Sequence, residues 1–228
     1  MRNKFADVIF EIGLKNNKIC ALVADISPAG SMIDFQKKFP ERFINTGVAE
    51  QSMIGIAAGM ALRGMRPFCY TIATFSLYRP FEIIRVDLCY QNLPVTIVGM
   101  GAGVIYSTLG STHHSMEDIA IASALPNMQV LAPCDPNEMK LATEWCANES
   151  NGPTYMRLGK AGEPTLTENA DKFEFGKVRY LCKGADIAII SYGITVKMAF
   201  DLKEKFEKKG KSISIISCHT IKPLDKKG

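Results

Sequence analysis

The chain lacks the features of a membrane-spanning or secreted protein. No apolar run approaches the roughly 18 to 20 uninterrupted residues of a membrane span, and Met1-Arg2-Asn3-Lys4-Phe5-Ala6-Asp7 lacks the apolar stretch of a signal peptide. A cytoplasmic protein with no membrane partner is expected. There is no Cys-x-x-Cys pair, and the seven cysteines, among them Cys20, Cys69, Cys89 and Cys182, stand singly in apolar segments. An odd, scattered set argues against disulfides and against a cysteine metal site, and fits reduced thiols in a core. No charge of one sign dominates. The net charge of +4 owes much to Lys203-Glu204-Lys205-Phe206-Glu207-Lys208-Lys209-Gly210-Lys211 and to Lys226-Lys227. Mixed signs at helical spacing mark a solvated face, so no nucleic-acid partner is expected.

What is present is a large core and a regular alternation. With 228 residues and 47% hydrophobic content, the chain can bury a sizeable interior. Short apolar runs rich in β-branched residues, at 19–24, 67–72, 95–99, 129–132 and 154–157, alternate with helical patterns at 4–15, 50–63, 80–90, 116–124 and 136–147. That is the signature of an α/β fold with a parallel sheet covered by helices. Ser115-Met116-Glu117-Asp118 and Asp135-Pro136-Asn137-Glu138 read as helix starts, the second with proline at the first helical position. The division expected is a domain over 1–160, a Gly-, Pro- and Thr-containing linker over 161–183, and a partial second α/β domain over 184–228. The second part reads as one βαβ unit, with strands at 186–191 and 212–217 around an amphipathic helix at 195–209. One such unit cannot cover both faces of a sheet, so a truncated chain is expected.

The most informative stretch is Gly47-Val48-Ala49-Glu50-Gln51, preceded by a turn and short strand over 39–46 and followed by an apolar helix. Glu50 falls at a strand-to-helix junction, which in a parallel sheet lies at the carboxyl ends of the strands, where ligands bind. A plain alternative is a carboxylate favoured by the helix dipole.

This stretch resembles the pyrimidine-binding domain of the transketolase family, as do Ala24-Asp25-Ile26-Ser27-Pro28, Ala73-Thr74-Phe75 through Arg79-Pro80-Phe81-Glu82, Gly110-Ser111-Thr112-His113 and Thr220-Ile221-Lys222-Pro223-Leu224-Asp225. They occur in family order and cover nearly the whole chain. The resemblance implies thiamine diphosphate as cofactor, with Mg2+, and a pyrimidine-binding domain followed by the start of the transketolase C-terminal domain. Glu50 matches the glutamate that hydrogen-bonds a pyrimidine ring nitrogen, and low-polarity surroundings would keep it a proton donor. Phe75 matches the aromatic stacked on the ring, with Tyr78 one turn later, and Asp25 and Ile26 fall on the cofactor side, Ile26 as the aliphatic wedge that keeps the cofactor bent. His113 matches the histidine that contacts donor oxygens near the reacting carbon. His114 stands where glutamine is common, and Arg79 and Arg157 match positions that bind a substrate phosphate in some members, with ordinary salt bridges as the alternative.

The pattern also breaks. Ser107-Thr108-Leu109 stands where the family has Gly-Glu-Asp, Gly101 or Ala102 replaces a histidine, and Ala29 replaces a serine that binds phosphate. Tyr106, Ser107 and Ser31 could reshape the pocket for another donor, such as a 2-oxo acid or nucleotide-linked sugar. Nothing resembles the Gly-Asp-Gly segment that binds magnesium and diphosphate; Gly99-Met100-Gly101-Ala102-Gly103 lacks the acid and is no dinucleotide fingerprint. No metal ligands are therefore expected on this chain. The resemblance implies a partner chain that binds the diphosphate, and a homodimer core within a heterotetramer. Two-carbon ketol transfer between sugars is the first reading. A 2-oxoacid dehydrogenase beta subunit and a non-catalytic subunit of the same fold are the alternatives.

Overall fold

The computed structural model describes residues 1–26, 30–168 and 173–227. Its main body is a seven-stranded sheet in the order β10-β5-β6-β4-β3-β1-β2. The strands are β1 (Ile19–Val23), β2 (Phe43–Asn45), β3 (Arg66–Ile72), β4 (Thr96–Met100), β5 (Gln129–Leu131), β6 (Thr154–Leu158) and β10 (Thr220–Lys222). All neighbours run parallel except β10, which is antiparallel to β5. β1 and β4 are buried at every position, which is why their sequences read as continuous apolar runs rather than alternations.

Helices cover both faces. On one side α1 (Arg2–Lys15), α2 (Ser31–Lys38) and α7 (Pro136–Asn148) pack Phe5, Ile9, Phe35 and Met139 against the sheet. On the other, α3 (Glu50–Leu62), α5 (Phe81–Ile83), the π-helical turn Ile84–Tyr90 and α6 (Asp118–Ala124) contribute Met53, Ile54, Leu88 and Ala122. Each of the fully buried Phe, Ile, Leu and Met side chains among them stabilises the fold by roughly 1.5–3 kcal/mol. The helix expected over 80–90 is thus a short α-turn continued as π-helix. α2 had no expectation, although Met32 and Phe35, three apart, form its buried stripe.

Two expected starts differ. Asp135 caps α7 as read, its Oδ1 accepting from Glu138 N at 2.7 Å, with Pro136 at the first position. Ser115 caps nothing: its backbone pairs with Gly103 in an isolated bridge, and α6 begins only at Asp118.

The second sheet has the order β7-β9-β8, from β7 (Arg179–Cys182), β8 (Ile187–Ser191) and β9 (Ile213–Ser217), with α8 (Val196–Glu207) packed against it. β7 comes from the stretch expected to be linker. It pairs antiparallel with β9. β10 leaves this sheet and covers the outer edge of β5, satisfying backbone groups that an edge strand would otherwise expose.

The junction between the sheets is polar and closed. Glu138 is fully buried and accepts from Cys134 N at 2.7 Å and from Ser217 Oγ at 3.1 Å, with Arg179 Nη1 at 3.4 Å. Burial pushes the Glu138 carboxyl up. His219, 1% exposed, stacks on Phe173 at 4.4 Å, and burial, reinforced by Arg179, lowers its pKa from 6.5 to about 4. The folded state therefore resists protonating it. Its contribution is fully present above pH 6.5 and is lost as pH falls from 6.5 to about 4, roughly 3 kcal/mol in all. Urea unfolding of the parent and His219→Gln should show the parent losing about that much relative to the variant between pH 7 and pH 4. A constant gap would remove His219 from the acid response. The Glu138 contribution has the opposite slope but is common to both proteins.

Candidate active site

The carboxyl ends of β1, β2, β3, β4 and β6 lie side by side, in the registers Val23↔Asn45, Val23↔Tyr70, Ile72↔Met100 and Met100↔Leu158. The loops leaving these ends carry most of the residues singled out above. Asn45 organises the first two: its Oδ1 accepts from Asp25 N at 3.1 Å and from Gly47 N at 3.0 Å. Gly47 has φ 68°, a left-handed conformation that costs glycine nothing, and it turns the chain so that α3 starts at Glu50. Asp25 is exposed at the rim with φ 44°, and Ile26 is half-buried against the α1-side core. Ser27, Pro28 and Ala29 lie outside the described residues. Ser31 donates to Asp7 on α1, so its hydroxyl is engaged away from the strand ends.

Glu50 is buried, 4% exposed, and accepts from Arg79 Nη1 at 2.7 Å. β3 ends opposite Met100, and the chain turns directly into α4 (Ala73–Leu77), which is tied to the next loop by Thr74 Oγ1 donating to Thr112 O at 2.9 Å. The Phe75 ring meets His113 edge-on at 5.0 Å, and Tyr106 meets the same imidazole at 5.9 Å. His113 Nδ1 is 2.9 Å from Thr112 Oγ1, which leaves Nε2 as the nitrogen available to a ligand. Tyr78 turns its hydroxyl to Glu117, donating to Oε2 at 3.0 Å, and burial raises its pKa. A cleft of about 300 Å³ runs between Thr74, Phe75, Tyr78, Arg79, Ser111 and Thr112, and a second of about 460 Å³ lies over Val48–Ser52. Arg79 lines both. A larger cleft, about 820 Å³, is elsewhere, between α1 and α7, and touches none of these residues.

Two substrate-side residues are part of the interior. Arg157 Nε donates to Asp118 Oδ2 at 2.8 Å, and Tyr155 Oη donates to the same oxygen at 2.8 Å. His114 Nε2 is buried without a partner among the described residues. Reading by sequence missed Lys160, whose ammonium sits 4.8 Å from the Tyr106 ring centroid. Its signal was its place just past β6 at the ligand-binding edge. It also missed why residue 101 is glycine. Gly101 has φ 77°, and a Cβ there would stand 2.0 Å from the Tyr106 ring, so the loss of a side chain at 101 and the aromatic at 106 form a matched pair. Among the described residues no three His, Cys, Asp or Glu side chains gather as metal ligands. No described helix is long and apolar enough to cross a membrane.

An open, mostly parallel sheet with a carboxylate, an aromatic face and an imidazole at its carboxyl edge defines the chain as an α/β protein. The particular family follows from comparison: the chain belongs to the transketolase family, residues 1–162 matching the transketolase pyrimidine-binding domain and 176–228 the transketolase C-terminal domain. It is 35% identical to an apulose-4-phosphate transketolase subunit of Phocaeicola vulgatus, over 98% of this chain and 72% of that protein. It is 33% identical to a 6-deoxy-6-sulfo-D-fructose transketolase subunit of a Clostridium species, over 99% of this chain and 70% of the relative. A solved structure described as a split gene transketolase, inactive beta4 tetramer, superposes with TM-score 0.89 at 38% identity, covering 98% of this chain and 72% of that one.

Proposed function

We propose that the chain is the pyrimidine-binding subunit of a split, thiamine-diphosphate-dependent transketolase, a cytoplasmic heteromer that moves a two-carbon ketol unit between sugars. The observation that carries this reading is that the buried Glu50 carboxylate and the Phe75 ring line two clefts that share Arg79 as a wall. Those two residues fit the pyrimidine half of the cofactor, by hydrogen bond and by stacking, with Tyr78 as a flanking wall. When bound, thiamine diphosphate supplies a carbon acid whose conjugate base attacks a carbonyl. Glu50 would hydrogen-bond a ring nitrogen of the pyrimidine, and His113 would present Nε2 to a substrate oxygen. Lys160, beside Tyr106, adds a cation near the strand ends, and Arg157 pairs with Asp118 through Nε.

Relatives named as subunits and a related assembly described as an inactive beta4 tetramer support a diphosphate- and Mg2+-binding half on another polypeptide. α3 is apolar on its outer face too, with Leu62 62% exposed, which supports a homodimer core. The division that goes with this reading is a first domain to about residue 160, a connecting stretch, and a second domain beginning before β7. The test is to titrate thiamine diphosphate and Mg2+ into the chain alone and into its mixture with the diphosphate-domain partner, then to assay a panel of ketose phosphates beside 2-oxo acids with a lipoyl acceptor. Binding and ketol transfer only in the mixture are expected. Acyl transfer to lipoamide would move the chain to the 2-oxoacid dehydrogenase class.

A further inference from the structure

A cofactor bound as proposed needs the Phe75 face to take a flat heterocycle and Glu50 to take an N–H donor. In this structure one side chain meets both requirements. The Arg79 Cζ stands 3.8 Å from the Phe75 ring centroid, and Arg79 Nη1 donates to Glu50 Oε1 at 2.7 Å. A guanidinium is planar, delocalised, cationic and rich in N–H donors, so it resembles a protonated aminopyrimidine in the features that an aromatic face and a carboxylate recognise. Arg79 also lines both clefts, standing between the Glu50 pocket and the Phe75 pocket. Its own side chain is 44% exposed whereas that of Glu50 is 5% exposed, so it reaches the buried carboxylate from solvent and can leave by side-chain rotation alone.

We propose that Arg79 is a built-in competitor for the cofactor's pyrimidine ring. It closes the site while the ring is absent, covering Phe75 and pairing Glu50, and it is displaced when an aminopyrimidine enters. This rests on the cofactor reading of the preceding section. No bond is made or broken; one stacked, hydrogen-bonded cation is exchanged for another planar donor. The energetic consequence is a shift of populations. Apparent affinity equals the intrinsic affinity reduced by the open fraction, so a site closed about nine-tenths of the time binds about tenfold more weakly than an open one. A half-exposed ion pair is weak enough to be displaced by a ligand that stacks better.

The experiment titrates 4-amino-5-hydroxymethyl-2-methylpyrimidine, an aminopyrimidine with no diphosphate, into the parent chain, Arg79→Ala, Arg79→Lys and the double variant Glu50→Gln with Arg79→Ala, each mixed with the diphosphate-domain partner. Calorimetry reads binding and circular dichroism verifies folding. Arg79→Ala is expected to bind about five- to tenfold more tightly than the parent. Arg79→Lys, which keeps the charge but not the plane, should fall between them, and the double variant should lose the gain. Equal or weaker binding by Arg79→Ala, with the parent binding, overturns the competitor and leaves the cofactor reading standing. No binding by any folded variant overturns the cofactor reading and the competitor with it. A measurement on the parent covers a variant that fails to fold: the Arg79 Nε–H resonance, assigned by its loss in Arg79→Lys, should move toward the position of a solvated arginine as pyrimidine is added. An unmoved resonance with pyrimidine bound overturns the proposal.

Discussion

Glu50→Gln, assayed with the partner chain and cofactor present, is expected to lower kcat by about 10³-fold, within the range typical of a lost general acid or base. The amide has nearly the shape of the carboxylate, and its carbonyl can still accept from Arg79. The Arg79 side chain is 44% exposed and can turn to water, so losing the charge attraction should change stability by about 1 kcal/mol or less. What the amide cannot do is exchange a proton at the oxygen that faces the ring. The loss should therefore appear in kcat, with an unchanged urea midpoint and a slower exchange of the cofactor's acidic hydrogen. A variant with parental kcat would remove Glu50 from the chemistry and restore the helix-dipole explanation of an acid at this junction.

Asp118→Ala should have the largest effect on stability, a loss of about 3–5 kcal/mol in urea unfolding. Asp118 is 0% exposed and accepts three hydrogen bonds, from Tyr155 Oη, Arg157 Nε and Ile119 N, each at 2.8 Å. Removing it leaves a mostly buried guanidinium and a fully buried phenol without their acceptor. The effect should be partly reversed by combining Asp118→Ala with Arg157→Leu, because the uncompensated charge is then gone. Equal instability of the single and double variants would instead assign the loss to the Tyr155 hydroxyl or to the start of α6. Tyr155 also lies against Gly99, where a Cβ would stand 2.6 Å from its Oη, so its ring has no room to turn away and find another partner.

The parallel sheet was legible because strands buried on both faces carry unbroken apolar runs, and β1, β3, β4, β5 and β6 fall within a residue or so of the expected bounds. α4 was not, because Ala73-Thr74-Phe75 continues the apolar run of β3 and only the end of the β4 pairing stops the strand there. β7 and β10 are short and carry no period, and β10 is defined by a partner, β5, far away in the chain. In the site, residue types at the strand ends could be read one by one, but pairings could not. Glu50 and Arg79 are separated by 29 residues, and Asp118 and Arg157 by 39. An acid at the start of a helix looks the same in sequence whether it faces water, as a dipole partner, or is sealed beneath a tyrosine and an arginine as Asp118 is.

β10 has a consequence for how such a gene can be cut and recombined. Because this strand completes the sheet of the first domain, and Lys222 Nζ donates to Ser123 O at 3.0 Å beneath it, the two family domains are interlaced rather than strung in series. A swap of the C-terminal domain between relatives would replace an edge of the neighbouring sheet at the same time. A chimera joined within the connecting stretch would inherit a strand unmatched to its β5, so a viable crossover has to carry β10 and the β5 edge from the same parent.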